Sequence, residues 1–413
     1  MTEDLFQRRL RGMALAGTLA CISMALPARE LQIGVVFDPA DSRYDRTRLE
    51  KNYPGQPLGR PKAGAALAIA ESEFSLAQAD LKVSLIDVAA DNIEDAHAKI
   101  EALAKKGVMH FLLDLPGSAV EQLSKAAQPG SALLFNVSAS DPALRRAACH
   151  AQLFHTLPDE SMRADAIAQF LVTRKWSKVL LLAGTSPADQ VMLAAAQGAI
   201  KRYGLKPVAS KSFKLSNDPR ERDMANVALL TAGIDSDVVW VVDSDGEFAR
   251  DVPYRTVLPR PVVGSAGLVA EGWHSSWERN GAPQLNRRFR KAENRVMAAE
   301  DWAAWMATKA IIEVALKLPD ASRHRAALRS QELVLDGFKG ARLSFRPWDQ
   351  QLRQPVFLAH GGIGGGIAGI APFDGFLHPK NNLDTLGADE KESSCRLGDA
   401  PGATGQTQTG AKK

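Results

Sequence analysis

The sequence predicts a two-lobed α/β protein whose halves each alternate strands with helices and meet across a cleft. Three observations carry that prediction. The chain has 413 residues, 45% hydrophobic and 24% charged, which suits two domains of ordinary size and excludes disorder or a disulfide scaffold. Apolar runs of strand length alternate with segments whose apolar residues recur at spacings of three and four. The alternation restarts after about residue 156, so one architecture is met twice. Strands separated by helices pair in parallel. Two such lobes favour a binding cleft between them.

Arg8, Arg9 and Arg11 precede an apolar run from Met13 to Leu26, with small residues at Ala25 and Ala28. A positive start, a short apolar core and a small-residue exit predict a secretory signal peptide over residues 1–28. The run is shorter than the roughly 20 apolar residues of a membrane span. Thr18-Leu19-Ala20-Cys21 is a weak lipidation motif that leaves a lipid on Cys21 open. The net charge is +4, and +3 without those 28 residues, with Lys and Arg scattered. Nucleic-acid binding needs a basic stripe, and none is present. Cys149 and Cys395 remain after processing, in an oxidising compartment.

The elements follow in order. Leu31–Phe37 is the first strand, and 61–77 a helix with Pro61 at its first turn, where a missing N–H costs nothing. Leu81–Ile86 is a strand, and Asp91 is expected to cap a helix carrying Ile93, Ala96, Ile100 and Leu103. Val108–Leu113 and Ala132–Phe135 flank a short helix starting at Ser118. The second half reads as helix Glu160–Arg174, strand Lys178–Ala183, helix Pro187–Tyr203, strand Lys206–Phe213, helix Arg222–Ala232 and strand Asp237–Val242. Val262–Val263, Ala341–Phe345 and Pro355–Ala359 are short late strands, and Asp301–Leu318 is a long helix. Residues 387–413 are polar and Gly-rich, and read as a disordered tail.

In open parallel sheets ligands bind beyond the carboxyl ends of the strands. Asp38, Asp87, Asp114 and Asp243 stand there, and Asp245 follows in the same loop as Asp243. Asp87 is expected to cap or turn rather than bind. Facing carboxylates favour a cation, and a hard ion such as Ca²⁺ or a lanthanide takes oxygen ligands. His110, His155 and His360 lack zinc-ligand spacing. The glycine run at 361–366 contains no Lys and reads as a surface loop rather than a phosphate cradle. Trp240 and Trp305 are expected in the core, Trp273 and Trp277 at the cleft border. No nucleophile–base pair emerges, so an enzyme is not expected.

The stretches Gly59–Ile69, Asn136–Leu144 followed by Phe154-His155-Thr156, Asp301–Leu316 and Gly340–Trp348 together resemble the type I periplasmic solute-binding proteins of ABC importers, in the leucine or branched-chain amino-acid-binding branch. That resemblance implies two Rossmann-like lobes joined by a three-crossing hinge. Lobe one would be 29–155 with about 270–345, and lobe two 156–269 with about 346–386. It implies a monomeric periplasmic receptor that carries one small solute or ion to an ABC permease and ATPase, without a cofactor. Gly117, Ser118, Ser138 and Ser140 match the turn that gathers a substrate carboxylate. The family's acid for the ammonium group falls near Ala266, and its aromatic lid near Pro187-Ala188, so both are missing here. An unpaired buried ammonium is costly, which disfavours an ordinary amino acid.

Asp374–His378 and Leu383–Gly387 resemble a subgroup linked with pyrroloquinoline-quinone-dependent alcohol dehydrogenase systems. The ligand readings are therefore a cation, an alcohol-derived molecule or an amino acid. A sensor or accessory protein of a periplasmic dehydrogenase is the rival role. With Cys149 just before the first crossing, a Cys149–Cys395 disulfide pinning the tail is expected. Two free thiols are the alternative.

Overall fold

The computed structural model describes residues 29–47, 56–128, 130–360, 365–395 and 397. The expected signal peptide, Cys21 and residues 398–413 lie outside the described residues, as do residues 361–364 of the glycine run.

Lobe one begins with β1 (Arg29–Phe37), α1 (Lys62–Glu71), α2 (Glu73–Gln78), β2 (Leu81–Ala89), α3 (Ile93–Ala104), β3 (His110–Asp114), α4 (Gly117–Ala126), β4 (Leu133–Asn136) and β5 (Leu153–His155). The five strands form a parallel sheet in the order β2-β1-β3-β4-β5. Both faces of a parallel sheet are covered, and this is why its central strands read as unbroken apolar runs. Ile33, Val35 and Leu112 enter one core, while Val36, Phe111 and Leu113 enter the other. Two details differ from expectation. The helix over 61–77 breaks at Ser72, whose hydroxyl donates to the Ala68 carbonyl at 2.7 Å. Asn92, not Asp91, caps α3 by accepting from the Asp95 N–H.

Lobe two continues with α5 (Glu160–Thr173), β6 (Lys178–Ala183), α6 (Pro187–Arg202), β7 (Lys206–Ser212), α7 (Val227–Thr231), β8 (Val238–Val242), α8 (Val252–Arg255), β9 (Val262–Gly264) and β10 (Leu268–Glu271). The chain then returns to lobe one through α9 (Ala282–Glu293), α10 (Ala299–Lys317), α11 (His324–Arg329), β11 (Leu335–Asp336), β12 (Arg342–Phe345) and β13 (Leu352–Arg353). It crosses once more to add β14 (Val356–His360) and β15 (Ile367–Ala371). The seven-stranded sheet runs β15-β14-β10-β9-β8-β6-β7, and its last two strands in the chain are antiparallel. The helix expected over 222–232 is a 3-10 segment followed by α7, divided at Asn226, which caps the latter. Neither β10, β15 nor α9 was expected.

The long helix α10 is buried nearly all round, as its continuous apolar composition requires. It lies against α1 because Gly64 permits the approach. A Cβ there would stand 1.9 Å from the Asp301 carbonyl oxygen.

Residues 387–395, expected in a disordered tail, are ordered. Asp165 accepts from the Gly387 N–H at 2.7 Å, Arg202 donates to the Gly387 carbonyl at 2.6 Å, and Ala388 and Cys395 are buried. Cys149 and Cys395 are joined by a disulfide, with Cα atoms 5.8 Å apart. The polar composition misled because these residues gain order from partners on α5 and α6 rather than from a core of their own.

Candidate ligand cleft between the lobes

A cavity of about 250 Å³ lies between the lobes. Lobe one supplies Arg43, Gln56, Asp141 and the Ser138–Ser140 turn after β4, together with Glu300 from the first turn of α10. Lobe two supplies Glu160 and Arg163 from the start of α5, Val191 and Met192 from α6, and Trp240 to Ser244 at the carboxyl end of β8. Parallel strands end at the crevice and helices begin there, so side chains and helix N-termini converge on it.

Of the residues singled out in the sequence, Ser138, Ser140 and Asp243 line this cavity; Gly117, Ser118, Asp38, Asp114 and Asp245 do not. Asp38 turns on itself, accepting from the Ala40 N–H at 2.7 Å. Asp245 is exposed. Asp114 is buried under two guanidiniums and a phenol: Arg43 Nη2 and Arg60 Nη1 lie 3.2 Å from its oxygens, and Tyr44 Oη donates at 2.6 Å. Burial raises the Asp114 carboxyl above its usual range, against the pull of Arg43, Tyr44 and Arg60. Its charge is already matched from within the chain, so it does not present a vacant carboxylate to a cation. Asp243 is likewise raised by burial, and it accepts from the Ala249 N–H at 2.9 Å. Among the described residues no group of three or more His, Cys, Asp or Glu is placed to hold a metal ion. Strand-end position alone pointed to these acids. It did not reveal Arg43 and Arg60, which follow β1 and neutralise Asp114, or the backbone N–H groups that Asp38 and Asp243 accept from.

The turn expected to gather a carboxylate is partly engaged within the chain. Ser138 Oγ donates inward to the Leu115 carbonyl at 3.3 Å, and the Ser140 carbonyl accepts from the Glu160 N–H at 2.9 Å. At the N-terminus of α4 a Cβ on Gly117 would stand 2.1 Å from Asp141 Oδ2, so an acid of the chain already occupies that helix end. Two of the four tryptophans differ from expectation. Trp273 stacks on Trp302 at 6.0 Å in the lobe-one core and Trp277 packs on Phe357, away from the cavity, whereas Trp240 is in the lobe-two core as expected and also lines the cavity. Trp305 is in the core.

Three residues that line the cleft, and Glu271 near it, carried no signal that distinguished them in the sequence. Glu160 and Arg163 pair at 3.2 Å on the first turn of α5. Glu300 is 7% exposed, and burial raises its carboxyl against the pull of Arg163. Glu271, at the end of β10, is pushed up to about 7 by burial. First-turn acids are the commonest helix-start pattern, so nothing in the sequence separated Glu160 and Glu300 from ordinary caps. Across the cleft Gln56 Nε2 donates to the Ser244 carbonyl at 2.7 Å, a direct hydrogen bond between the lobes.

A family model described as a periplasmic binding protein matches residues 55–249. The chain has the fold of a type I periplasmic binding protein. Its structure is similar to a branched-chain amino acid ABC transporter periplasmic ligand-binding protein from Burkholderia xenovorans LB400, at 12% identity and a TM-score of 0.69, over 89% of this chain and 99% of that one. It is also similar to a leucine-, isoleucine-, valine-, threonine- and alanine-binding protein from Brucella ovis in a closed conformation, at 14% identity and a TM-score of 0.65, over 84% and 95%. A solute-binding protein of an ABC transporter from R. palustris in complex with benzoate aligns at 13% identity and a TM-score of 0.62, over 89% and 99%. A comparison with curated protein sequences finds no match. The cleft between the lobes is polar on the lobe-one wall and largely apolar along β8 and α6.

Proposed function

We propose that this protein is the periplasmic solute-binding receptor of an ABC importer. It acts as a monomer that closes two lobes over one small organic solute and delivers it to a permease and ATPase. The observation that carries the reading is the cavity itself, built by both lobes at the carboxyl ends of their parallel strands. Hinge closure around a ligand is the motion such a two-lobed chain allows. Ser138, Ser140 and Asp243 contribute to the site; Asp38, Asp114 and Asp245 are set aside because they lie off the cavity. A bare metal ion is disfavoured as ligand because, among the described residues, no three acids, histidines or cysteines are grouped to hold one, while Trp240, Met192 and Val191 offer a surface for an apolar body. The likeness to amino-acid and benzoate binders supports transport of a small organic molecule. A link to a pyrroloquinoline-quinone-dependent alcohol dehydrogenase system is supported by the resemblance of residues 374–387 alone.

A thermal-shift screen of the processed protein with alkyl and aryl amines, alcohols, carboxylates, amino acids and Ca²⁺ tests the reading. At a hundred times its dissociation constant a ligand stabilises by about 2.7 kcal/mol. Saturable stabilisation by an organic solute, lost in Ala188→Trp, which fills the cleft from α6, is the expected result. Stabilisation by Ca²⁺ alone would restore a cation as ligand, and chemical conversion of a bound solute would make the protein an enzyme.

A further inference from the structure

We infer that the solute is an organic amine lacking a free carboxylate, and that Glu300 receives its ammonium group. The inference rests on the receptor reading above and names the solute class for the same cleft. Glu300 is 7% exposed and lines the cavity, and among the described residues the hydrogen bond to its carboxyl comes from its own backbone N–H. The N-terminus of α10 favours a negative charge at this point. A buried carboxylate open to a cavity is completed by a donor or cation that enters it.

The surrounding charges point the same way. The cavity is lined by two guanidiniums, Arg43 and Arg163, against four carboxyls, Asp141, Glu160, Asp243 and Glu300. Arg43 is committed elsewhere: its Nε and Nη2 bond to Asp41, and Nη2 also to Asp114. Arg163 donates to Glu160 and is the largest positive influence on both Glu271 and Glu300, with Arg43 a smaller one on Glu300, so two guanidiniums already engaged with other acids are shared among these three. Burial raises Glu300 above the usual range, the behaviour of a carboxyl short of positive partners.

A ligand carboxylate meets the opposite conditions. The helix end at Gly117, which would attract an anion, already faces Asp141 Oδ2. A carboxylate entering the cavity would face like charges at Asp141, Glu160, Asp243 and Glu300, and like charges within a few ångströms disfavour one another strongly. The remaining wall, Ile167, Val191, Met192 and Trp240, takes an alkyl or aryl body. Ammonium on Glu300 and an apolar group on Trp240 use both walls at once.

Calorimetric titration of the processed protein with 2-phenylethylamine, 2-phenylethanol, phenylacetate and phenylalanine separates the polar group from a constant aryl body; butylamine, butanol and butyrate repeat the comparison with an alkyl one. The expected result is that the amine of at least one series binds tenfold or more tightly than its alcohol, with the acid and the amino acid weaker still. Glu300→Gln should weaken the amine tenfold or more, Glu300→Asp less, and Asp38→Asn, outside the cavity, less than twofold. Tighter binding of an acid, an alcohol or phenylalanine than of the amine, or an unchanged amine affinity in Glu300→Gln, overturns the inference while leaving the receptor reading intact. Binding by none of these solutes, nor by any organic member of the thermal-shift screen, overturns both.

Discussion

Lys339 carries its amino group into the interior where lobe one meets the last crossing. Its Nζ lies 2.6 Å from Gln354 Oε1, 3.4 Å from the Pro355 carbonyl and 3.5 Å from the centre of the Trp302 ring. Gln354 Nε2 in turn donates to the Thr156 carbonyl at 2.7 Å, so the lysine ties the last crossing to the first through one amide. Desolvation holds Lys339 well below the usual lysine value. The unfolded chain binds a proton at this site up to about pH 10.4, whereas the folded chain gives it up earlier. Stability from this residue therefore rises with pH across that window, by up to about 1.4 kcal/mol per pH unit. Urea unfolding at successive pH values should show the rise, and Lys339→Met should flatten it; equal slopes in the two proteins would refute the assignment. A lone lysine in the sequence carries no sign of this. Nor did the sequence separate Glu300 from a routine first-turn acid, because partnership depends on what the fold brings opposite.

At the scale of elements, the strands were legible because buried parallel strands must be apolar from end to end, as Leu180, Leu181 and Leu182 in β6 show. α9 was missed since its inner face is only Ala282, Leu285 and Phe289 in an otherwise charged stretch. β15 was missed since its Gly369 and small residues give no strand pattern. The ordered end of the chain was missed for a different reason: it is held by polar partners. Asp384 accepts from Arg346 at 2.9 Å and from Arg353 at 2.8 Å, with all three side chains buried. Arg202 reaches Glu392, and the disulfide closes the segment onto Cys149 in lobe one. Asp384→Asn should leave two buried guanidiniums short of charge and cost about 3–5 kcal/mol in urea unfolding. A loss under 1 kcal/mol would show that the two arginines find other partners. Thiol titration of the processed, unfolded protein should find no free sulfhydryl before reduction and two after it. Serine at both cysteines should cost up to about 5 kcal/mol, because the disulfide closes a very long loop in the unfolded chain.

At the scale of the whole molecule, two lobes are joined where β5 leads into α5, where β10 leads back to α9, and where β13 leads into β14. Arg145 is buried among these passages, donating to the Ala139, Asp141 and Leu157 carbonyls and to Gln351 Oε1 206 residues away, which ties the first passage to the last. On the far side of the cleft the lobes meet through the hydrogen bond from Gln56 to the Ser244 carbonyl. A solute trapped behind that bond leaves only after it breaks. The net worth of such a bond is about 0.5–1.5 kcal/mol, or roughly twofold to tenfold in an equilibrium. Gln56→Ala should therefore increase the radius of gyration of the unliganded protein in small-angle scattering. It should also weaken whichever solute binds by that same factor, chiefly through faster release, because changes within one interface act mostly on the off-rate. An unaltered radius together with an unaltered off-rate would mean that the lobes stay closed without Gln56, and that contacts other than this hydrogen bond hold the cleft.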